Sequence, residues 1–518
     1  MRYLTALAAF GCCLLANVAA HAGAPAAATA IGSAPAGLSA SSAATTDYNL
    51  PQLGVAGGTA LPLWKAHFIG EQIFHLIQGE DGVLNDPLVE GYVDHLGHRL
   101  ASVAQGPDES YHYFVVLDPQ INAFALPGAF VGVNYGLILS TRHEDELAGV
   151  MAHETAHVAQ RHIARQMADA SYNDLINIAI LLGGVAAAIA NPGIAVGALM
   201  GAQGGILQRE LNYTRADEME ADRVGILILA RANFNPMGMV DFFQYMERQS
   251  SMNDYQLPEF LSSHPLDITR IAEAEIRAKN LHPTPLPEDP NYALMKARIR
   301  ALTTSDPVNT LDWFRAQSHS ESNPWYSKAD IYGMVLCLNQ LDSGKRALAL
   351  IKPLASSHPN NIALQLALAE SLISAGEGKA GLDALAQDHT LYPDNQAVLG
   401  AYARALLNVG QAVKAMEILE PLMNDSASVF DPDLYQMLAT AANTTGDKTL
   451  ALRAVANADN LKGDFHSAII QLRLVLRDHT LTSVQRTQVE RQKKALEDEL
   501  KKAKNMGLVP QSSRFETR

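Results

Sequence analysis

Cysteine is nearly absent. There are three in 518 residues, and two of them, Cys12 and Cys13, fall in an apolar stretch at the very start. Once that stretch is removed only Cys337 remains, which excludes an internal disulfide and leaves stability to a hydrophobic core. A basic cluster is also missing. The net charge is −15, a balance that excludes nucleic acid as the main partner. No apolar run reaches the roughly 20 residues a membrane-spanning helix needs. A charge-free stretch from Leu175 to Gln208 is cut by Asn191-Pro192-Gly193 into pieces of about sixteen residues. It reads as a buried helical hairpin or as a flap that touches membrane or gates substrate. Gly183, Gly184, Gly201, Gly204 and Gly205 suit a mobile element in either case.

What is present is ordinary globular composition, with 48% apolar and 18% charged residues, in a chain long enough for two or three domains. Arg2, the apolar run Leu4 to Val18 and the small-residue ending Ala20-His21-Ala22 have the layout of a secretory signal peptide over 1–22. Ala9-Phe10-Gly11 before Cys12 is a poor lipoprotein signal. Residues 23–60 are rich in Ala, Gly, Ser, Thr and Pro and read as a flexible leader. From Trp64 the pattern is helical, with Ile69, Ile73, Leu76 and Ile77 on one face. Residues 111–118 form a strand candidate, and 121–140 a small sheet or hairpin broken at Pro127-Gly128 and Asn134-Tyr135-Gly136. Thr141 and Glu144 then fit a capping box that starts a helix.

That helix carries His153-Glu154-Thr155-Ala156-His157. Histidines at i and i+4 leave one helix face with Cβ atoms about 5–6 Å apart, near enough to share one tetrahedral zinc. Glu154 sits one residue round, placed to take a proton from a water activated by the metal and pass it to the leaving amine. A catalytic zinc needs a third protein ligand. The metzincin extension fails, because Gln160 and Ile163 stand where Gly and His would be required. By helical phase His162 faces away from the pair, towards solvent. A second helix, 216–230, offers Glu218, Glu220 and Asp222. Glu218 and Asp222 share a face, so one can ligate while the other orients an imidazole. Spacing does not rank the three.

The last 200 residues repeat. Gly344 and Gly378, Pro359 and Pro393, and Gly376 and Gly410 are each 34 residues apart. That is the tetratricopeptide period, in which helix pairs stack into a concave surface for peptides or partner proteins. Two degenerate units follow, turning near Gly446 and Gly463. The charged run from 489 reads as a solvated closing helix.

The pairing of H-E-x-x-H with E-x-E-A-D some sixty residues later, together with residues 122–128, 144–158 and 264–270, resembles the gluzincin peptidases of the HtpX and CAAX-prenyl-protease family. The resemblance implies His153, His157 and Glu218 as ligands of one zinc per chain, Glu154 as general base and Asp222 as the residue that orients a ligand. His264 would either stabilise the oxyanion or occupy the open metal position and keep the enzyme latent. Arg270 would anchor its loop or a substrate carbonyl. Asn122, Ala123 and Phe124 would form the edge strand along which extended substrate pairs.

The expected architecture is α+β and mostly helical. It comprises a gluzincin-type protease domain with a small sheet over 61–300, an all-α tetratricopeptide solenoid over 308–485, and a charged helix and tail over 486–518. The expected function is that of an exported, periplasmic zinc metalloendopeptidase. The resemblance implies work at the outer membrane on unfolded or stalled β-barrel proteins, with the repeats recruiting substrate or assembly machinery and possible peripheral membrane contact. The competing reading is a chaperone-like adaptor whose protease is latent.

Overall fold

Three consecutive carboxylates, Glu144, Asp145 and Glu146, open the helix that carries the two histidines, where negative charge suits the positive end of the peptide dipoles. The computed structural model describes residues 61–107, 109–166, 213–252, 259–317, 323–423 and 431–506. The signal peptide, leader, 175–208 segment and extreme tail of the sequence reading lie outside them. The elements begin with α1 (Leu63–Gly79), α2 (Pro87–Ala101), β1 (His112–Val116), β2 (Ala123–Leu126), β3 (Phe130–Asn134), α3 (Tyr135–Ser140), α4 (Glu144–Ala159) and α5 (His162–Gln166). They continue with α6 (Arg215–Arg231), α7 (Met237–Met252), α8 (Glu259–Ser263) and α9 (Ile268–Lys279).

The start of α4 corrects one expectation. Thr141 makes no cap: it ends α3, donating its hydroxyl to the Ile138 carbonyl at 2.9 Å. Glu144 is drawn elsewhere, accepting from the Tyr92 hydroxyl and the Asp289 amide at 2.9 Å each. The backbone N–H of Arg142 instead donates to the Glu146 carboxylate at 2.7 Å. Helix α6 does have a capping box, formed by Thr214 and Asp217.

The sheet has the order β1-β3-β2, with β3 parallel to β1 and antiparallel to β2. Strand β2 is therefore an edge, as expected. The Asn134 amide donates to the Asn122 carbonyl at 3.0 Å, so the alternation of an antiparallel ladder leaves the peptide groups of Ala123 and Ala125 on the free side. Helix α4 is buried almost throughout and packs against α2, α6, α7, β2 and β3. Gly225 lets α6 come close: a Cβ there would lie 3.2 Å from the backbone of Ala152. On α1, Ile69, Ile73 and Ile77 are buried, whereas Leu76 is 40% exposed and belongs to the other face.

The rest is helical: α10 (Pro290–Leu302), α11 (Pro307–Ala316), α12 (Pro324–Gln340), α13 (Gly344–Ser357), α14 (Ile362–Ser374), α15 (Gly378–Leu391) and α16 (Gln396–Asn408). After these come α17 (Ala412–Leu419), α18 (Pro432–Thr445), α19 (Lys448–Leu461), α20 (Phe465–Val475) and α21 (Ser483–Asn505). From α12 onward each helix packs on the next. The period shows in the caps: Asn361 and Asn395 begin α14 and α16 with the same side-chain bond to the amide three residues on. One continuous core runs from α2 and α4 through α10 into α14. The charged α21 buries Val489, Leu496 and Ala503 and lays Lys502 over the rings of Trp64 and Phe68 on α1. No helix among the described residues is long and apolar enough to cross a membrane.

Candidate metal centre

Helices α4 and α6 bring three ligand-type side chains, His153, His157 and Glu218, together with His264, which follows α8. Nε2 of His153 and Nε2 of His157 face each other at 3.0 Å. Glu218 straddles the pair, with Oε2 3.5 Å from His153 Nε2 and Oε1 3.5 Å from His157 Nε2. His264 Nδ1 lies 2.9 Å from Glu218 and 3.3 Å from His153 Nε2. The four side chains are at most 1% exposed. Two nitrogens bound at about 2.0–2.1 Å to a tetrahedral zinc would stand roughly 3.3 Å apart, so this donor set fits a single zinc. Spacing paired His153 with His157, and the resemblance added Glu218 and left two roles for His264; the geometry puts that imidazole among the possible ligand atoms.

Glu154 is fully buried at the rim of this cluster, with His264 Nε2 3.4 Å from one oxygen. Neither of its oxygens has a hydrogen-bond partner. Burial raises its pKa, against His264, His153 and the backbone of Ala125, which lower it. The Ala125 influence ties the carboxylate to the free edge of β2. Burial would also raise Glu218, yet His264, His153 and His157 hold it well below the usual carboxylate range. Burial thus dominates at Glu154, whereas the neighbouring imidazoles dominate at Glu218.

Each metal-facing histidine is held from behind. His153 Nδ1 lies 3.1 Å from Asp222. Burial lowers His153, but Asp222 and Glu218 outweigh it and lift the ring to about 10. Burial likewise opposes ionisation of Asp222, and His153 and Arg270 reverse the balance and lower it. His157 Nδ1 meets His162 Nδ1 at 2.8 Å, and His162 Nε2 reaches Glu220 at 3.2 Å. His162 is fully buried, which corrects the solvent-facing expectation. The physical reason is local: Arg161 adopts φ +55° and interrupts the helix, so the phase of α4 does not continue into α5.

Arg270 is also placed differently from a substrate anchor. Its guanidinium is 1% exposed and fully engaged. Nε and Nη2 donate to Asp222 at 2.8 Å each, while Nη1 donates to the Pro265 carbonyl at 2.6 Å and lies 2.8 Å from Glu218. Of its two expected roles, these bonds serve the loop. On the edge strand, Asn122 and Ala123 are buried and Phe124 packs against Phe114. The sequence reading missed Tyr213, whose ring lies 3.8 Å from that of His157 and stacks on His264 at 5.5 Å. Its place just before the Thr214 cap was the available signal.

Residues 87–278 match the family model described as Peptidase family M48. The beta-barrel assembly-enhancing protease of Escherichia coli strain K12 is 31% identical over 424 residues, covering 81% of this chain and 85% of that one. The protein of the same name from Yersinia pestis is 29% identical over 420 residues, 81% of this chain and 86% of its own. The mitochondrial metalloendopeptidase OMA1 of Schizosaccharomyces pombe is 32% identical over 184 residues, 36% of this chain and 51% of its own length.

Proposed function

The chain belongs to peptidase family M48 and is a zinc metallopeptidase, and from that premise we propose an exported, periplasmic endopeptidase that acts in assembly and quality control of outer-membrane β-barrel proteins. The observation that carries the reading is the meeting of His153, His157 and Glu218 beside the buried carboxylate of Glu154. In this reading the three hold one zinc per chain, which when bound supplies Lewis-acid polarisation of the attacking water and the scissile carbonyl. Glu154 takes the proton and returns it to the leaving amine. Asp222 keeps the His153 ring in position. Extended substrate pairs with the free edge of β2 through the peptide groups of Ala123 and Ala125, which gives sequence-tolerant binding.

Selectivity then comes from elsewhere. The 34-residue spacing of α13 to α16 supports a tetratricopeptide-type solenoid, a surface that recruits a stalled substrate or the assembly machinery. The β-barrel assignment draws on relatives named for that role and aligned over 81% of the chain. The protease domain is assigned to 61–300, the repeats to 308–485. A second reading is favoured by His264: with Nδ1 among the ligand atoms it fills the position a substrate would need, which makes the enzyme latent and leaves an adaptor role to the repeats. The test is zinc content and cleavage of an unfolded protein by the wild type and Glu154→Gln. Stoichiometric zinc in both, with cleavage only in the wild type, is expected. Zinc without Glu154-dependent cleavage, even after His264→Ala, would leave only the adaptor.

A further inference from the structure

Behind the two metal-facing histidines run two lines of side chains that end alike. His153 is backed by Asp222, which Arg270 holds. His157 is backed by His162, then Glu220, which Arg165 holds at 3.2 Å. Both carboxylates come from the same turn of α6, two residues apart. The first line is the orienting arrangement the sequence reading expected. The second was not anticipated.

The geometry points to His162 as a positioning residue for the His157 ring, with Glu220 fixing His162 in turn. The inference rests on the reading above, in which Nε2 of His157 is a zinc ligand. A ring that gives its Nε2 lone pair to a metal carries its proton on Nδ1. The atom facing that Nδ1–H, at 2.8 Å, is Nδ1 of His162, so His162 must present a lone pair there. Its own proton then sits on Nε2, aimed at the Glu220 oxygen 3.2 Å away. One set of tautomers satisfies the whole line, and it is the set in which His157 can bind metal. Every His162 ring atom involved is in a fully buried side chain, where an unanswered N–H is costly. His162, Asp217 and Glu220 also have the composition of a second cation site. Arg165 already answers both carboxylates there, at 3.0 and 3.2 Å, which favours the positioning role.

Zinc affinity of the full-length chain, measured by competition with a chelator, tests this, alongside the melting temperature of the metal-free protein. Loss of a residue that backs a metal ligand weakens binding about 10–100-fold. His162→Leu, which offers no acceptor, should show that loss. His162→Asn places an amide oxygen where Nδ1 stood, and should stay within a few-fold of wild type. Glu220→Ala, a change at a partly exposed residue, should weaken binding several-fold and serves if His162→Leu does not fold. Two outcomes overturn the inference alone: wild-type affinity in both His162→Leu and Glu220→Ala, or equal weakening in His162→Leu and His162→Asn. A merely structural role would lower the metal-free melting temperature of those two without separating their affinities. A wild type that binds no zinc, or keeps it in His157→Ala, would instead overturn the ligand reading itself.

Discussion

Arg270 holds Asp222 with two hydrogen bonds of 2.8 Å, Nε to Oδ2 and Nη2 to Oδ1. Both side chains are buried, and Asp222 also faces His153. Removing the guanidinium would leave buried Asp222 and Glu218 with only the neighbouring imidazoles to offset their charge. Arg270→Ala should therefore cost about 3–5 kcal/mol of stability, read by thermal or denaturant unfolding. Arg270→Lys keeps the charge but cannot span both carboxylate oxygens. It should melt between the wild type and Arg270→Ala, and bind zinc more weakly than the wild type. Equal melting of Arg270→Lys and wild type would show that the paired geometry is unimportant.

His264 reaches the cluster from a short helix whose position is itself tied to the segment entering edge strand β2. The Phe260 amide donates to the Ile121 carbonyl at 3.1 Å, and the His264 amide to the Phe260 carbonyl at 2.8 Å. If this imidazole holds the open position, His264→Ala should cleave an unfolded protein faster than the wild type, by roughly tenfold, a change of about 1.4 kcal/mol. The gain should vanish in the double variant with Glu154→Gln, since losing a general base costs about 10²–10⁴-fold. A slower His264→Ala enzyme with zinc intact would assign the ring to the oxyanion instead.

The part of the site legible in the sequence is the part that local geometry dictates. His153 with His157 and Glu218 with Asp222 are pairs at i and i+4 on two helices, the choice of Glu218 over Glu220 came from the family resemblance, and the structure brings those side chains together. Apolar runs set off by turn residues marked the strands, and the edge position of β2 came from the family resemblance. His162 was illegible because a single positive φ at Arg161 broke the helical phase from which its direction was inferred. Thr141 failed as a cap because a preceding short helix claimed it. Arg270 stayed undecided between loop anchor and substrate anchor because its partners, 48 and 52 residues away in sequence, are set by tertiary packing. The contact of α21 with α1, through Gln72 and Glu499 among others, joins residues 427 apart and leaves no periodic trace at all.

Gly128 fixes the β2–β3 hairpin against α1. Its φ is +73°, and a Cβ there would lie 2.1 Å from the Cα of His67 on α1. Gly128→Ala combines a left-handed penalty of roughly 1–2 kcal/mol with an overpacking cost of about 1–3 kcal/mol. The clash would push α1 away from the β2–β3 turn, so KM should rise more than zinc affinity falls. Steady-state kinetics on an unfolded substrate and a chelator competition measure the two. A variant as stable as the wild type would mean that α1 yields without consequence.

A cluster of acids joins α2 to the start of α18 and gives the fold a pH dependence away from the metal centre. Burial first, then Asp431, Asp94 and Asp86, raise Glu90 to about 8, and burial chiefly raises Asp431 to about 6. In the unfolded chain these carboxyls titrate near ~4, so between pH 4 and 8 the folded chain binds more protons than the unfolded one. Stability from this pair is full at low pH and is lost as pH rises through those folded values. Glu90 is only partly buried, so the loss between pH 6 and 8.5 should be about 1–2 kcal/mol after allowing for solvent screening. Glu90→Gln removes one of the repelling charges. It should melt higher than the wild type at pH 8.5 and close to it at pH 5, and flatten the slope between. A lower melting temperature for Glu90→Gln at pH 8.5 would mean that the carboxylate is stabilised there by a favourable partner rather than opposed.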